Sequence, residues 1–230
     1  MIMSMTRHDL FSIPLYRFNF SEHTNFKAAA MNLFKDNSIF NRNTRSQRLH
    51  FTHPNLHRLE IFKEFTDFCQ ASLERVMDDM GFLPNIQITS MWGTRHPQGG
   101  YHHRHGHGNT FLAGVYYLHG TKENSGTIFF NDRYYHQMIQ PALSGKRLRI
   151  NSSFNTKFEE GTMYIFPSYL QHQTNVNDIV QTNSERYILG FNSMPVGKTN
   201  QDEFDRFNYQ SVDNVDMINY NNEKVIAGSK

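Results

Sequence analysis

The chain has a single cysteine, Cys69, among its 230 residues. An internal disulfide is therefore excluded, and a reducing, intracellular setting is expected. No apolar run approaches the roughly 18 residues that a membrane helix needs. Met1 to Phe18 lack the continuous apolar centre of a secretory signal. A cytoplasmic protein is expected, in a cell or a virus-infected cell. Blocks of like charge are missing too: 23 Lys and Arg stand against 21 Asp and Glu, for a net charge of +2. That excludes a charged tail and gives no clear nucleic-acid signal. The one basic patch, Lys146-Arg147-Leu148-Arg149, alternates with apolar residues and reads as the solvent face of a strand. No internal repeat is present.

What the chain has in quantity is aromatic rings, with 20 Phe and 11 Tyr. At this length the simplest organisation is one domain over 1–194 with a substantial core, followed by a polar extension over 195–230. Helical support is expected at about 21–82. Phe26, Ala30, Leu33 and Phe34 share one face of a first helix, and Ser21 or Thr24 could cap it. Residues 37–55 read as polar and irregular. Phe62, Phe65, Phe68, Cys69, Leu73, Val76, Met77 and Met80 then recur at intervals of three and four, and Gly81 supplies the stop.

After Pro84 the period changes to two. Ile86, Ile88, Ser90 and Trp92 alternate with Gln87, Thr89 and Met91. Further strands are expected at 101–107, 110–118, 127–131, 147–151, 161–166, 172–176 and 185–193, with an earlier one within 11–20. The class is α+β, a jelly roll with barrel strands over about 85–194, braced by N-terminal helices. The polar loop 131–144 is expected to flank the mouth. The extension could wrap the barrel, and its aromatics leave a homodimer as one option.

The chemistry-bearing residues are His105 and His107, then His172, then Arg186. Residues two apart on a strand face the same way, and a distant third imidazole can complete one side of a metal's coordination sphere. His103 has the same parity, so the pair could be His103 and His105. The plainer reading is a solvated histidine-rich loop. Arg186 shares a face with Ile188, Gly190 and Asn192. On the interior of a barrel it needs an anion: either a ligand carboxylate, which a guanidinium can bind bidentately, or Glu185, Glu159, Asp132 or Asp178.

These pieces resemble the 2-oxoglutarate- and Fe(II)-dependent dioxygenases, in particular a bacterial and phage subgroup with an H-x-H…H…R pattern. The matching stretches are His105-Gly106-His107, Ala113-Gly114-Val115-Tyr116-Tyr117, Gly161 through Phe166-Pro167-Ser168 to His172, and Arg186 through Phe191-Asn192. Leu10 to Tyr16 is similar to the subgroup's opening strand. The resemblance implies a double-stranded β-helix, with Fe(II) held by His105, His107 and His172 and the distal carboxylate of 2-oxoglutarate on Arg186. It implies hydroxylation of an unidentified small-molecule or peptide substrate, with release of succinate and CO2. Asn192, Tyr117 and Asn109 are candidates for contacting the cosubstrate or substrate.

Two positions depart from the wider superfamily. His107 stands where a carboxylate is usual, and Ile188 stands where many relatives place a hydroxyl. A three-histidine, cupin-like dioxygenase that does not use 2-oxoglutarate is the alternative within enzymes. A non-catalytic metal- or ligand-binding jelly roll is the alternative outside them. A structural zinc site would need a fourth ligand, which His103 or Asp132 could supply.

Overall fold

The computed structural model describes residues 12–121, 125–132, 152–178, 185–199 and 207–209. Two helices precede the barrel, α1 (His23–Leu33) and α2 (Lys63–Asp79). In α2 the apolar residues Phe65, Cys69, Leu73, Val76 and Met77 fall on one buried stripe. Gly81, at φ +81°, takes the left-handed conformation that ends the helix. The Phe82 N–H reaches back to the Met77 carbonyl at 2.9 Å and closes the last turn. Each large apolar side chain buried along such a stripe contributes about 1.5–3 kcal/mol.

The strands are β1 (Tyr16–Asn19), β2 (Phe40–Thr44), β3 (Leu49–Thr52), β4 (Ile86–His96), β5 (Leu112–His119), β6 (Ser125–Phe130), β7 (Ser153–Lys157), β8 (Thr162–Pro167), β9 (His172–Thr174), β10 (Arg186–Pro195), β11 (Gly197–Thr199) and β12 (Phe207–Tyr209). A seven-stranded sheet runs β1-β8-β5-β10-β4-β3-β2, and a three-stranded sheet runs β7-β6-β9. From β5 onward the chain passes back and forth between the two sheets. That is the double-stranded β-helix, or jelly roll, all of whose named pairings are antiparallel.

Alternation along the large sheet separates two cores. Tyr116, Leu118, Met163, Ile165, Tyr187, Leu189 and Phe191 face the helices and pack with Phe26, Phe65 and Leu73. Ala113, Val115, Tyr117, Tyr164, Phe166 and Ile188 face the barrel interior. Tyr117 spans the two sheets. Its hydroxyl lies 3.0 Å from Thr127 Oγ1 and 2.6 Å from Thr156 Oγ1, and it accepts the Thr127 N–H at 2.8 Å.

Several expectations are corrected. Residues 37–55 are not irregular, because β2 and β3 form a hairpin whose second strand pairs with β4. Its polarity reflects a sheet edge with one wet face. The expected strand over 101–107 is an extended segment with one β-bridge, between His105 and His172. Trp92 does not share a face with Ile86 and Ile88. The β4–β10 register shifts between Asn192 and Ser193, opposite Thr89, and this irregularity reverses the parity. Met91 then faces the helices and Trp92 the interior. The strand β7 was not anticipated. The expected strand over 147–151, the patch at 146–149 and all of the expected loop 131–144 but its first two residues lie outside the described residues. Of the C-terminal extension, β11 and β12 pair with each other.

Candidate metal and anion site

The small sheet and the segment 102–107 meet at His105 and His172. The His105 N–H donates to the His172 carbonyl and the His172 N–H to the His105 carbonyl, each at 2.9 Å. This pairing puts a residue from the β4–β5 connection beside the start of β9. The His107 N–H is tied to the Ser168 carbonyl at 3.0 Å, which fixes the second turn of the loop. As a result one nitrogen from each of His105, His107 and His172 lies within 4.8 Å of the others.

The rings are oriented by hydrogen bonds on their far sides. The His105 Nδ1 lies 2.8 Å from the His103 carbonyl, and the His172 Nδ1 lies 2.9 Å from the Leu170 carbonyl. A carbonyl only accepts, so each Nδ1 carries a proton and each Nε2 presents a lone pair. His107 Nε2 and His172 Nε2 stand 3.3 Å apart. Two imidazole nitrogens each ~2.1 Å from one ion sit roughly 3–3.5 Å apart, so this spacing fits a shared metal.

Burial supports the neutral, ligating form. Desolvation, with His105 nearby, lowers the His107 pKa to about 4; Asn192 opposes the shift. Desolvation and the neighbouring histidines lower that of His172 to about 3. Desolvation also lowers the pKa of His105, against its hydrogen bond to His103.

His103 is exposed; its carbonyl accepts from His105, and its ring lies 6.0 Å from the His105 ring. Asp132 pairs with Arg104, and both are exposed. Among the described residues the cluster therefore holds three histidines and no carboxylate. His102 stacks on His105, with ring centroids 3.8 Å apart. Trp92 lies over His107 at 6.0 Å. It also covers Gly190, where a Cβ would come within 2.7 Å of the indole. These two flanking rings were not among the expected site residues, and only the corrected parity of β4 reveals Trp92.

Arg186 is 1% exposed, on the interior face of β10. Its Nη2 donates to the Asn175 carbonyl at 2.8 Å and to His96 Nδ1 at 3.0 Å. His96 is its register partner on β4, equally buried. Burial and the adjacent guanidinium hold the His96 pKa well below its usual range, so the imidazole is neutral and accepts. Desolvation lowers the Arg186 pKa to about 10, which leaves it cationic at neutral pH. Three of the carboxylates considered from sequence are engaged elsewhere: Glu185 with the Tyr187 hydroxyl, Glu159 with Arg17, and Asp132 with Arg104. His96 carried no sequence signal, because a lone histidine at a strand end has no motif.

The remaining candidates fall in different places. Asn192 is next to His107, and its amide oxygen has no hydrogen-bond partner among the described residues. Tyr117 lines the interior with its hydroxyl committed to Thr127 and Thr156. Asn109 is exposed in a turn at φ +52°, a left-handed conformation that asparagine tolerates.

The sequence profile of the family described as "Putative 2OG-Fe(II) oxygenase" matches residues 90–192. That span begins in β4 and ends at Asn192, and it contains all three clustered histidines and Arg186. Over that span the chain matches the 2-oxoglutarate- and Fe(II)-dependent oxygenases. Solved structures similar to this chain show the same jelly roll. The epimerase SnoN from nogalamycin biosynthesis, described as non-heme and alpha-ketoglutarate-dependent, superposes with a TM-score of 0.60 at 10% identity, covering 84% of each chain. A Pseudomonas putida prolyl-4-hydroxylase gives 0.57 at 14% identity, covering 82% of this chain and 96% of that one. HygX from Streptomyces hygroscopicus, solved with nickel, 2-oxoglutarate and hygromycin B, gives 0.53 at 11% identity, covering 80% and 83%. A comparison with curated proteins finds no match. No helix among the described residues is long and apolar enough to cross a membrane.

Proposed function

We propose that His105, His107 and His172 hold the ferrous iron, and that Arg186 receives the distal carboxylate of 2-oxoglutarate, in an enzyme that hydroxylates a C–H bond of its substrate. The observation that carries this reading is the convergence of three neutral imidazoles at one end of an apolar barrel whose interior also holds a buried arginine. When bound, the iron would activate dioxygen with the 2-oxo acid as co-reductant, one oxygen atom entering the substrate C–H bond and the other the succinate formed with loss of CO2.

The chain's own residues do the rest. Carbonyls of His103 and Leu170 hold two imidazoles in the ligating tautomer. With three neutral ligands, the protein contributes no negative charge to the metal's first shell. The interior wall of Val115, Phe129, Phe166 and Ile188 excludes water from the reacting region. Arg186 offers a desolvated cation, which favours a carboxylate far more than an exposed one would. Asn192, beside His107, supplies an amide to the cosubstrate or substrate. The reading is tested by succinate formation from 2-oxoglutarate. It predicts a strict requirement for Fe(II), and succinate formed equally without iron would overturn it.

His96 is a positioning residue in this scheme, since it accepts one Arg186 N–H and shares its face. His96→Ala is expected to raise KM for 2-oxoglutarate about tenfold, equivalent to roughly one lost charge-assisted hydrogen bond. kcat and iron content should stay near wild type. Affinity for 2-oxopentanoate, which lacks the distal carboxylate, should not change. An equal loss for both acids would mean that His96 serves the fold and not the clamp.

A further inference from the structure

The hairpin β2–β3 brings an unusual stretch of sequence to the metal site. Residues 37–59 contain no Asp or Glu, and neither do residues 80–122. The fold places these two acid-free segments side by side. The Tyr101 N–H donates to the Gln47 carbonyl at 3.0 Å, and the His103 N–H lies 3.4 Å from Gln47 Oε1. The hairpin tip is thus fastened to the segment that carries His105 and His107.

Three arginines stand on this hairpin, Arg42, Arg45 and Arg48, all exposed. Several cations elsewhere do have carboxylate partners: Arg17 with Glu159, Lys27 with Glu160, Lys63 with Asp67, and Arg104 with Asp132. None of the three hairpin arginines makes an ion pair among the described residues. Arg48 is also built into place. Its backbone is left-handed at φ +52°, where a bulky residue is disfavoured. A Cβ at Gly99 would lie 3.1 Å from Arg48 Nη1, and one at Gly100 would lie 2.9 Å from the Arg48 carbonyl. Two glycines at the entrance to the histidine loop therefore leave room for this arginine.

A continuous line of rings joins the hairpin to the metal cluster. The Arg42 guanidinium lies 5.6 Å from the Phe51 ring, Phe51 lies 5.6 Å from His102, and His102 stacks on His105 at 3.8 Å. We infer that the hairpin is the substrate anchor, and that the substrate carries an oxyanion, a phosphate or a carboxylate, which Arg42, Arg45 and Arg48 bind while its reacting carbon reaches past His102 to the metal. The inference rests on the proposed reading of the histidines and Arg186 as the reaction site. A guanidinium matches both oxyanions in geometry, and arginines at the rim of a site raise the local concentration of an anionic ligand.

The test uses the anaerobic protein loaded with Fe(II) and 2-oxoglutarate. Phenyl phosphate, phenylacetate and neutral benzyl alcohol are titrated by calorimetry into wild type, into a variant carrying Arg42→Gln, Arg45→Gln and Arg48→Gly, and into Arg75→Gln as a control on the exposed face of α2. Glycine at 48 keeps the backbone conformation and removes the guanidinium. The expected result is that at least one anion binds wild type ten or more times tighter than benzyl alcohol, and that the tighter anion identifies the oxyanion. The triple variant should lose that binding tenfold or more, the control should keep it, and binding should weaken between 20 and 200 mM salt on the order expected for charge pairing. No anion binding by wild type, or equal binding by the triple variant, overturns the anchor. The visible band of the Fe(II)–2-oxoglutarate complex is recorded in the same samples. A normal band with no anion preference condemns the anchor alone, whereas a missing wild-type band condemns the reading of the site beneath it.

Discussion

Replacing Arg186 with alanine is expected to leave ferrous iron bound and to weaken 2-oxoglutarate by about 100-fold or more. Arg186 is almost wholly buried on the interior face of β10, held by Asn175 and His96 and still cationic at neutral pH. Truncating one partner of a buried, hydrogen-bonded charge pair costs about 2–5 kcal/mol, and about 2.8 kcal/mol is 100-fold in affinity. Arg186→Lys should recover only part of the loss, because an ammonium cannot reproduce the planar fork. Iron content by metal analysis and 2-oxoglutarate affinity by calorimetry read the two effects separately. Unchanged affinity in Arg186→Ala would return Arg186 to a purely structural role.

The second large effect concerns the metal. His172→Ala is expected to reduce iron affinity by at least 100-fold, to the point where the protein is isolated without stoichiometric iron. Loss of a group that merely orients a ligand already costs about 10–100-fold, and His172 is proposed as a ligand itself. The fold should survive. The backbone pairing of residue 172 with His105 does not use the imidazole, and the side chain's own bond to Leu170 is local. Tight stoichiometric iron in this variant would refute the assignment. His107→Asp, by contrast, replaces one ligand type with another and should keep the metal. Its loss with an intact fold would mean that the site requires three imidazoles.

Much of this architecture could be read from the residues, and the reasons are local. The stripe from Phe65 to Met77 has a helical period, and Gly81 has no competing explanation, so α2 was legible. Parity along β10 correctly separated Arg186, Ile188 and Asn192 from Tyr187, Leu189 and Phe191, because that strand is buried on both faces and keeps its own alternation even where its register with β5 shifts between Tyr187 and Ile188. Parity failed on β4, where an irregularity opposite Thr89 inverts the faces after a run too short to show it. The β2–β3 hairpin was invisible for another reason. A polar edge strand such as Phe40–Thr44, with only its first residue buried, has no hydrophobic alternation to detect. The histidine loop was read as a strand, although its residues satisfy their backbone groups through a bridge and scattered loop contacts. The choice between His103 and His107 could not be made from parity. In the structure His107, its N–H tied to the Ser168 carbonyl, is the one whose ring nitrogen gathers with those of His105 and His172, which supports the proposed set.

The central claim is that one barrel holds a three-histidine iron site and an arginine clamp for the same cosubstrate. An anaerobic titration of the Fe(II)-loaded protein with 2-oxoglutarate, followed in the visible spectrum with Arg186→Ala beside it, tests both at once. A saturable charge-transfer band in wild type, lost in the variant at the same concentrations, is the predicted result. Iron bound with no band, and no heat of 2-oxoglutarate binding, would contradict it and leave a three-histidine jelly roll that works without a 2-oxo acid.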